Sequence, residues 1–143
     1  MKRSFLSDVV LILIVTLVQS LGVVVAHAAE NGNFAGLVDI GSGRKMYLKC
    51  SGRGLPMVVL TGGLRASAED WSISDKSKST VFAEVAKFTR VCACDRPGTP
   101  VGEKPSRSDP VSQPTIAKDA VADLQALLSA AGDAGPYVLV GHS

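Results

Sequence analysis

The sequence predicts an α/β domain in which an antiparallel hairpin leads into a mostly parallel sheet flanked by helices. Three observations carry this reading. The runs "MVVLT", "RVCAC" and "YVLV" are short and continuously apolar, as strands buried on both faces are. Helical spacing lies between them, so the order is strand, helix, strand, helix, strand, which favours parallel pairing with helices on both faces. Ahead of them, "FAGLVDIGSGRKMYLKC" alternates around a glycine turn.

The elements follow in order. Phe34 to Ile40 and Lys45 to Cys50 form the hairpin, turning at Gly41-Ser42-Gly43. "SGRGLP" breaks the chain before the first buried strand, and "LRASAEDWSISDKSKST" is a polar connection. "VFAEVAKF" places Val81, Val85 and Phe88 on one helix face. "GTPVGEKPSRSDPVSQP" holds four prolines and two glycines and is a long excursion of the kind that rims a site. In "TIAKDAVADLQALLSAAG", Ile116, Ala120, Leu124, Leu127, Leu128 and Ala131 make an apolar stripe. Lys118, Asp119, Asp123 and Gln125 face water, Thr115 caps the start and Gly132 ends the helix. The last strand is Tyr137 to Val140.

The N-terminus is a separate matter. Lys2 and Arg3 precede a long apolar stretch that ends in Ala26-His27-Ala28. A basic start, an apolar middle and an A-x-A end make a secretory signal peptide over residues 1–28, leaving residues 29–143 as the domain. The rival is an uncleaved anchor, since the stretch approaches the length of a bilayer span. Only in that case is a membrane a partner. The expected location is therefore outside the cell or in its envelope. Export makes one disulfide and one leftover thiol natural for Cys50, Cys92 and Cys94.

Composition excludes several classes. With a net charge of +2 and no stripe of Lys and Arg, nucleic acid is not an expected partner. No C-x-x-C occurs and the domain holds one histidine, His142, so no metal site is expected.

The chain ends in "GHS" directly after a buried strand. A serine becomes a useful nucleophile when a sharp strand-to-helix turn lifts it clear of the sheet, and Gly141 two residues before Ser143 is half of the G-x-S-x-G pattern. Taken alone, this tripeptide reads more readily as a glycine-serine turn that ends a strand. In context, "VVLTGGLRASAEDW", "RVCACDRPGTP" and "GPYVLVGHS" resemble, in order, the third-strand loop, the fourth-strand Asp-Arg-x-Gly loop and the nucleophile elbow of the α/β-hydrolase family. The likeness covers nearly all of residues 34 to 143. It departs where Gly62-Gly63 replaces a commoner His-Gly and Cys94 a frequent Tyr. "CSGRGLP" is similar to a secreted subgroup.

The resemblance implies the N-terminal part of an α/β-hydrolase fold, cut after its fifth strand. It implies Ser143 as nucleophile and the backbone N–H of Leu64 as an oxyanion donor. Gly62 and Gly63 would let the backbone approach a small ester or acyl substrate, or would simply make a tight turn. Asp95 and Arg96 order the loop rim. No cofactor is implied. The family's sheet order sets its second strand beside its fourth, implying a Cys50–Cys92 bridge, with Cys50–Cys94 as fallback. The family's acid and histidine follow the nucleophile, so the 143 residues are expected to be catalytically incomplete and marginally stable, with Tyr137 to Val140 an aggregation-prone edge. Two other functions share these features: a non-catalytic secreted binding protein on the same scaffold, and a dinucleotide-binding oxidoreductase using "VVLTGG". The latter lacks the third glycine of G-x-G-x-x-G.

Overall fold

The computed structural model describes residues 32–63, 65–74, 79–98, 100, 103–133 and 135–142. The expected leader, residues 1–28, and the two expected catalytic positions, Leu64 and Ser143, lie outside the described residues.

Five strands form one sheet: β1 (Phe34–Gly41), β2 (Arg44–Ser51), β3 (Met57–Thr61), β4 (Val91–Cys94) and β5 (Tyr137–Gly141). Their spatial order is β1-β2-β4-β3-β5. β2 runs antiparallel to β1 and β4, whereas β3 runs parallel to β4 and β5. The hairpin closes through Ser42 and Gly43, at φ 55° and 72°. Two positive angles in a row give the turn whose twist matches the flanking strands.

Helices sit on both faces. α1 (Val81–Val85) and a 3₁₀ turn (Ala68–Ser72) cover Leu60, Val91 and Ala93. α2 (Ala117–Ala130) covers Met46, Leu48, Met57 and Val59 on the other side. Alternation along β2, with Met46, Leu48 and Cys50 inward, is what one packed face requires. α2 stops through Gly132 at φ 72°, where the Asp133 N–H bonds Leu128 O at 3.1 Å and closes a Schellman motif.

Two helix faces differ from expectation. α1 is only five residues long, and Phe82, 6% exposed, enters the core. Val81 and Phe88 are exposed, and Phe88 lies past the helix end at 74% exposure. Thr80 caps this helix through its side chain, so the helical register starts there and points Phe82 inward. In α2, Leu127, Leu128 and Ala131 are buried, but Ile116 and Ala120 are exposed. Ile116, not Thr115, occupies the N-cap, and the Asp119 carboxylate accepts its N–H at 3.2 Å. Asp123 does not face water. Arg44 donates two 2.8 Å bonds to it and ties α2 to the start of β2.

Cys50 and Cys92 are direct register partners and form a disulfide with Cα atoms 4.1 Å apart. Cys94 is a free, buried thiol. The bridge closes a separation of 42 residues. Replacing both cysteines with alanine is expected to cost about 3 kcal/mol in urea denaturation, chiefly by freeing the unfolded chain. A change under about 0.5 kcal/mol would contradict that.

β5 stands at the sheet edge, with Tyr137, Val138 and Leu139 exposed. Among the described residues no helix is long and apolar enough to cross a membrane.

Candidate active site

The carboxyl ends of β3, β4 and β5 are level, because Thr61 pairs with Cys94 on one side and Gly141 on the other. Their continuations, Gly62, Asp95 and His142, leave the same edge of the sheet. The His142 N–H bonds Thr61 O at 3.1 Å, extending the β3–β5 ladder by one residue. β3 leads to the face that carries α1, and β4 to the face that carries α2. Connections that part in this way leave a crevice at the strand ends, the usual ligand position in open α/β sheets.

After β3 the chain turns tightly. The Ala66 N–H bonds Gly63 O at 3.3 Å, and Arg65 sits at φ 62°. A non-glycine residue in the left-handed region is uncommon. A Cβ on Gly62 would lie 2.6 Å from the Ala66 Cβ. The close approach at Gly62 is thus to the turn itself. We expect Gly62→Ala to cost about 1–3 kcal/mol in chemical denaturation, as overpacking does. Adding Ala66→Gly should restore most of it, and failure of that rescue would place the strain elsewhere.

Ser67 caps the 3₁₀ turn, accepting the Glu69 N–H at 3.2 Å, while Asp70 accepts the Ser67 N–H. Asp95, 1% exposed, lies beneath and accepts the Ala68 N–H at 2.8 Å. Its cation is Arg107, which donates from Nε at 2.6 Å and from Nη2 at 2.8 Å. Asp95 therefore orders the rim as expected through its side chain, whereas Arg96 contributes its carbonyl, which accepts from Ser106 Oγ at 3.0 Å. Arg96 is exposed beside the crevice. Arg107 was not singled out from the sequence. The available signal was Asp95 itself, since a carboxylate closing a buried strand demands a nearby cation.

The Pro-rich excursion is pinned rather than free. Ser108 Oγ donates to Asp95 O at 2.6 Å and accepts the Tyr47 N–H at 3.0 Å. Asp109 and Lys45 exchange two further bonds, at 2.7 and 2.9 Å. Glu69 accepts from Lys49 and from Arg107, and these bonds, led by Lys49, hold its carboxyl below the usual carboxylate range.

A cavity of about 630 Å³ lies at the strand ends on the α2 side. Thr61, Gly62, Cys94 and His142 line one wall, and Val121 and Leu124 of α2 line another. Burial pushes the Cys94 thiol up to about 12, so it stays protonated and unreactive near neutrality. The His142 ring sits edge-on to Trp71, centroids 6.5 Å apart. Cys50, Cys92 and Asp133 cluster, but the two sulfurs are bonded to each other and offer no thiolate to a metal.

The structure thus brings Gly62 and Gly63 to the edge from which Gly141 and His142 emerge. Gly141 shows no crowding, its nearest prospective Cβ neighbour being Thr61 Oγ1 at 3.6 Å.

No protein-family model matches the chain, and no curated protein does either. Solved structures do. The chain is similar to E-2-(acetamidomethylene)succinate hydrolase, with a TM-score of 0.60 and 21% identity over 78% of this chain and 35% of that one. It is similar to the Cif epoxide hydrolase from Acinetobacter nosocomialis, with a TM-score of 0.60 and 22% identity over 79% and 31%. An epoxide hydrolase from an endophytic Streptomyces superposes with a TM-score of 0.54 at 27% identity, over 80% and 30%. The chain spans about a third of the length of these structures.

Proposed function

On a chain that has the α/β-hydrolase fold, we propose that residues 29–143 furnish the nucleophile and one oxyanion donor of an exported serine hydrolase acting on a carboxylic ester or related acyl compound. One observation supports this reading: Gly141 and His142 leave the sheet level with Thr61 and Gly62, at the edge where the glycine turn begins. In the reaction, Ser143 Oγ attacks the substrate carbonyl and passes its proton to a base. The carbonyl oxygen becomes an oxyanion facing the Leu64 N–H. Expulsion of the alcohol leaves an acyl-serine that water then hydrolyses.

The proposal takes as base a histidine, oriented by an acid, other than His27, which it assigns to the leader, and His142, whose ring sits edge-on to Trp71. The substrate is a small molecule, bound without metal or organic cofactor, and the leader directs the protein out of the cytoplasm.

Two assays of the secreted gene product test the proposal together. N-terminal sequencing should begin at Ala29, and the product should hydrolyse p-nitrophenyl acyl esters. A mature protein that retains residues 1–28, or one that turns over no ester, contradicts it.

A further inference from the structure

We infer that Arg107, acting through Asp95, is a positioning residue for the Gly62–Ala68 turn that carries the oxyanion donor. The inference deepens the proposed function and rests on its reading of Leu64.

Asp95 is the last buried acid before the crevice, and its two carboxylate oxygens divide between two partners. Oδ1 accepts the Ala68 N–H at 2.8 Å and the Arg107 Nη2–H at 2.8 Å, while Oδ2 takes Arg107 Nε–H at 2.6 Å. Ala68 opens the 3₁₀ turn that follows the glycine loop. The loop is therefore held at one end by β3 and at the other by the Ala68 bond to Asp95, together with the Glu69 and Ser72 side-chain bonds to Lys49 and Arg107.

Arg107 holds Asp95 in turn. Its guanidinium carbon lies 3.4 Å from the Tyr47 ring centroid, and its Nη1 reaches Glu69 Oε1 at 3.1 Å. Stacking fixes the plane of the fork, and the fork fixes the carboxylate. Glu69 stands beside Ala68, so Arg107 braces the 3₁₀ turn from two sides. Without it, a carboxylate at 1% exposure would keep only neutral donors and would rotate or draw in water. The Ala68 anchor would move with it. A shift of about 1 Å in an oxyanion donor costs on the order of 100-fold in rate.

The test uses Arg107→Ala and Arg107→Lys in the full gene product. In Arg107→Ala, the Ala66 and Ala68 amides should exchange hydrogen at least about ten-fold faster, while those of Val59 and Cys92 stay within about two-fold. The kcat for ester hydrolysis, normalised to titrated active sites, should fall about 100-fold with KM nearly unchanged. The Ki of a trifluoromethyl ketone analogue should rise in step. Arg107→Lys keeps the charge without the fork and should lie between Arg107→Ala and wild type in all three readouts. It carries the test if the alanine variant does not fold.

Turn amides that do not quicken, or that quicken together with the core amides, overturn the inference. So does a kcat unchanged while the turn loosens. If Ser143→Ala keeps full turnover, the nucleophile assignment fails, and the exchange result still reports separately on Arg107.

Discussion

Under the proposed function, replacing Ser143 with alanine in the full gene product is expected to lower kcat for ester hydrolysis by at least about 10⁴-fold, because the acyl intermediate would lose the oxygen that carries it. Two other groups at the described strand ends are poor replacements. Cys94 is held as a thiol by burial, with its pKa pushed up to about 12. Thr61 Oγ1 donates to Val140 O at 3.3 Å, within the β3–β5 pair. KM should change little, since the hydroxyl contributes to bond making rather than to ground-state binding. Residual hydrolysis within ten-fold of wild type, at equal folded concentration, would remove Ser143 from the mechanism.

The second large effect concerns stability. Arg90 and Asp133 are buried together, with Nε–Oδ1 at 2.6 Å and Nη2–Oδ2 at 3.2 Å. Arg90 also donates to Gly32 O at 3.2 Å. The pair thus joins the start of β4, the end of α2 and the approach to β1. Asp133→Ala removes the carboxylate that bonds the buried guanidinium and should cost about 3–5 kcal/mol in urea denaturation. The double replacement Arg90→Met, Asp133→Leu should recover most of that loss, because a well-packed apolar pair often matches a buried ion pair. A single mutant that loses less than about 1 kcal/mol would show that water or another acid compensates Arg90.

These two sites differ in how far the sequence reveals them. Ser143 sits in a local pattern, since an apolar strand followed by Gly-x-Ser is contiguous along the chain. The strands β3, β4 and β5 were legible for the same reason, and their sheet order matches the order the family resemblance implied. The Cys50–Cys92 bridge followed from that order, because antiparallel β2 and β4 set the two residues opposite each other.

Arg90–Asp133 and Asp95–Arg107 were not legible. Each joins residues from different elements, and nothing local marks which charged residue the fold carries inward. The expected face of α1 failed because that helix is short. Five residues in α1 make little more than one turn, so the Thr80 cap, rather than apolar spacing, chose Phe82 over Val81 and Phe88. Asp123 looked solvated because its partner, Arg44, belongs to the hairpin, and helical periodicity says nothing about what faces a helix from another element.

The glycine loop lies between these cases. "GG" after a strand announced a tight turn, but the neighbour that makes Gly62 necessary, Ala66, emerged only with the backbone path.

Mapping a fluorophosphonate adduct by mass spectrometry tests the central claim most directly. On the secreted gene product the phosphonyl group should sit on Ser143 alone. An adduct on a different serine, or no adduct on Ser143, would contradict it.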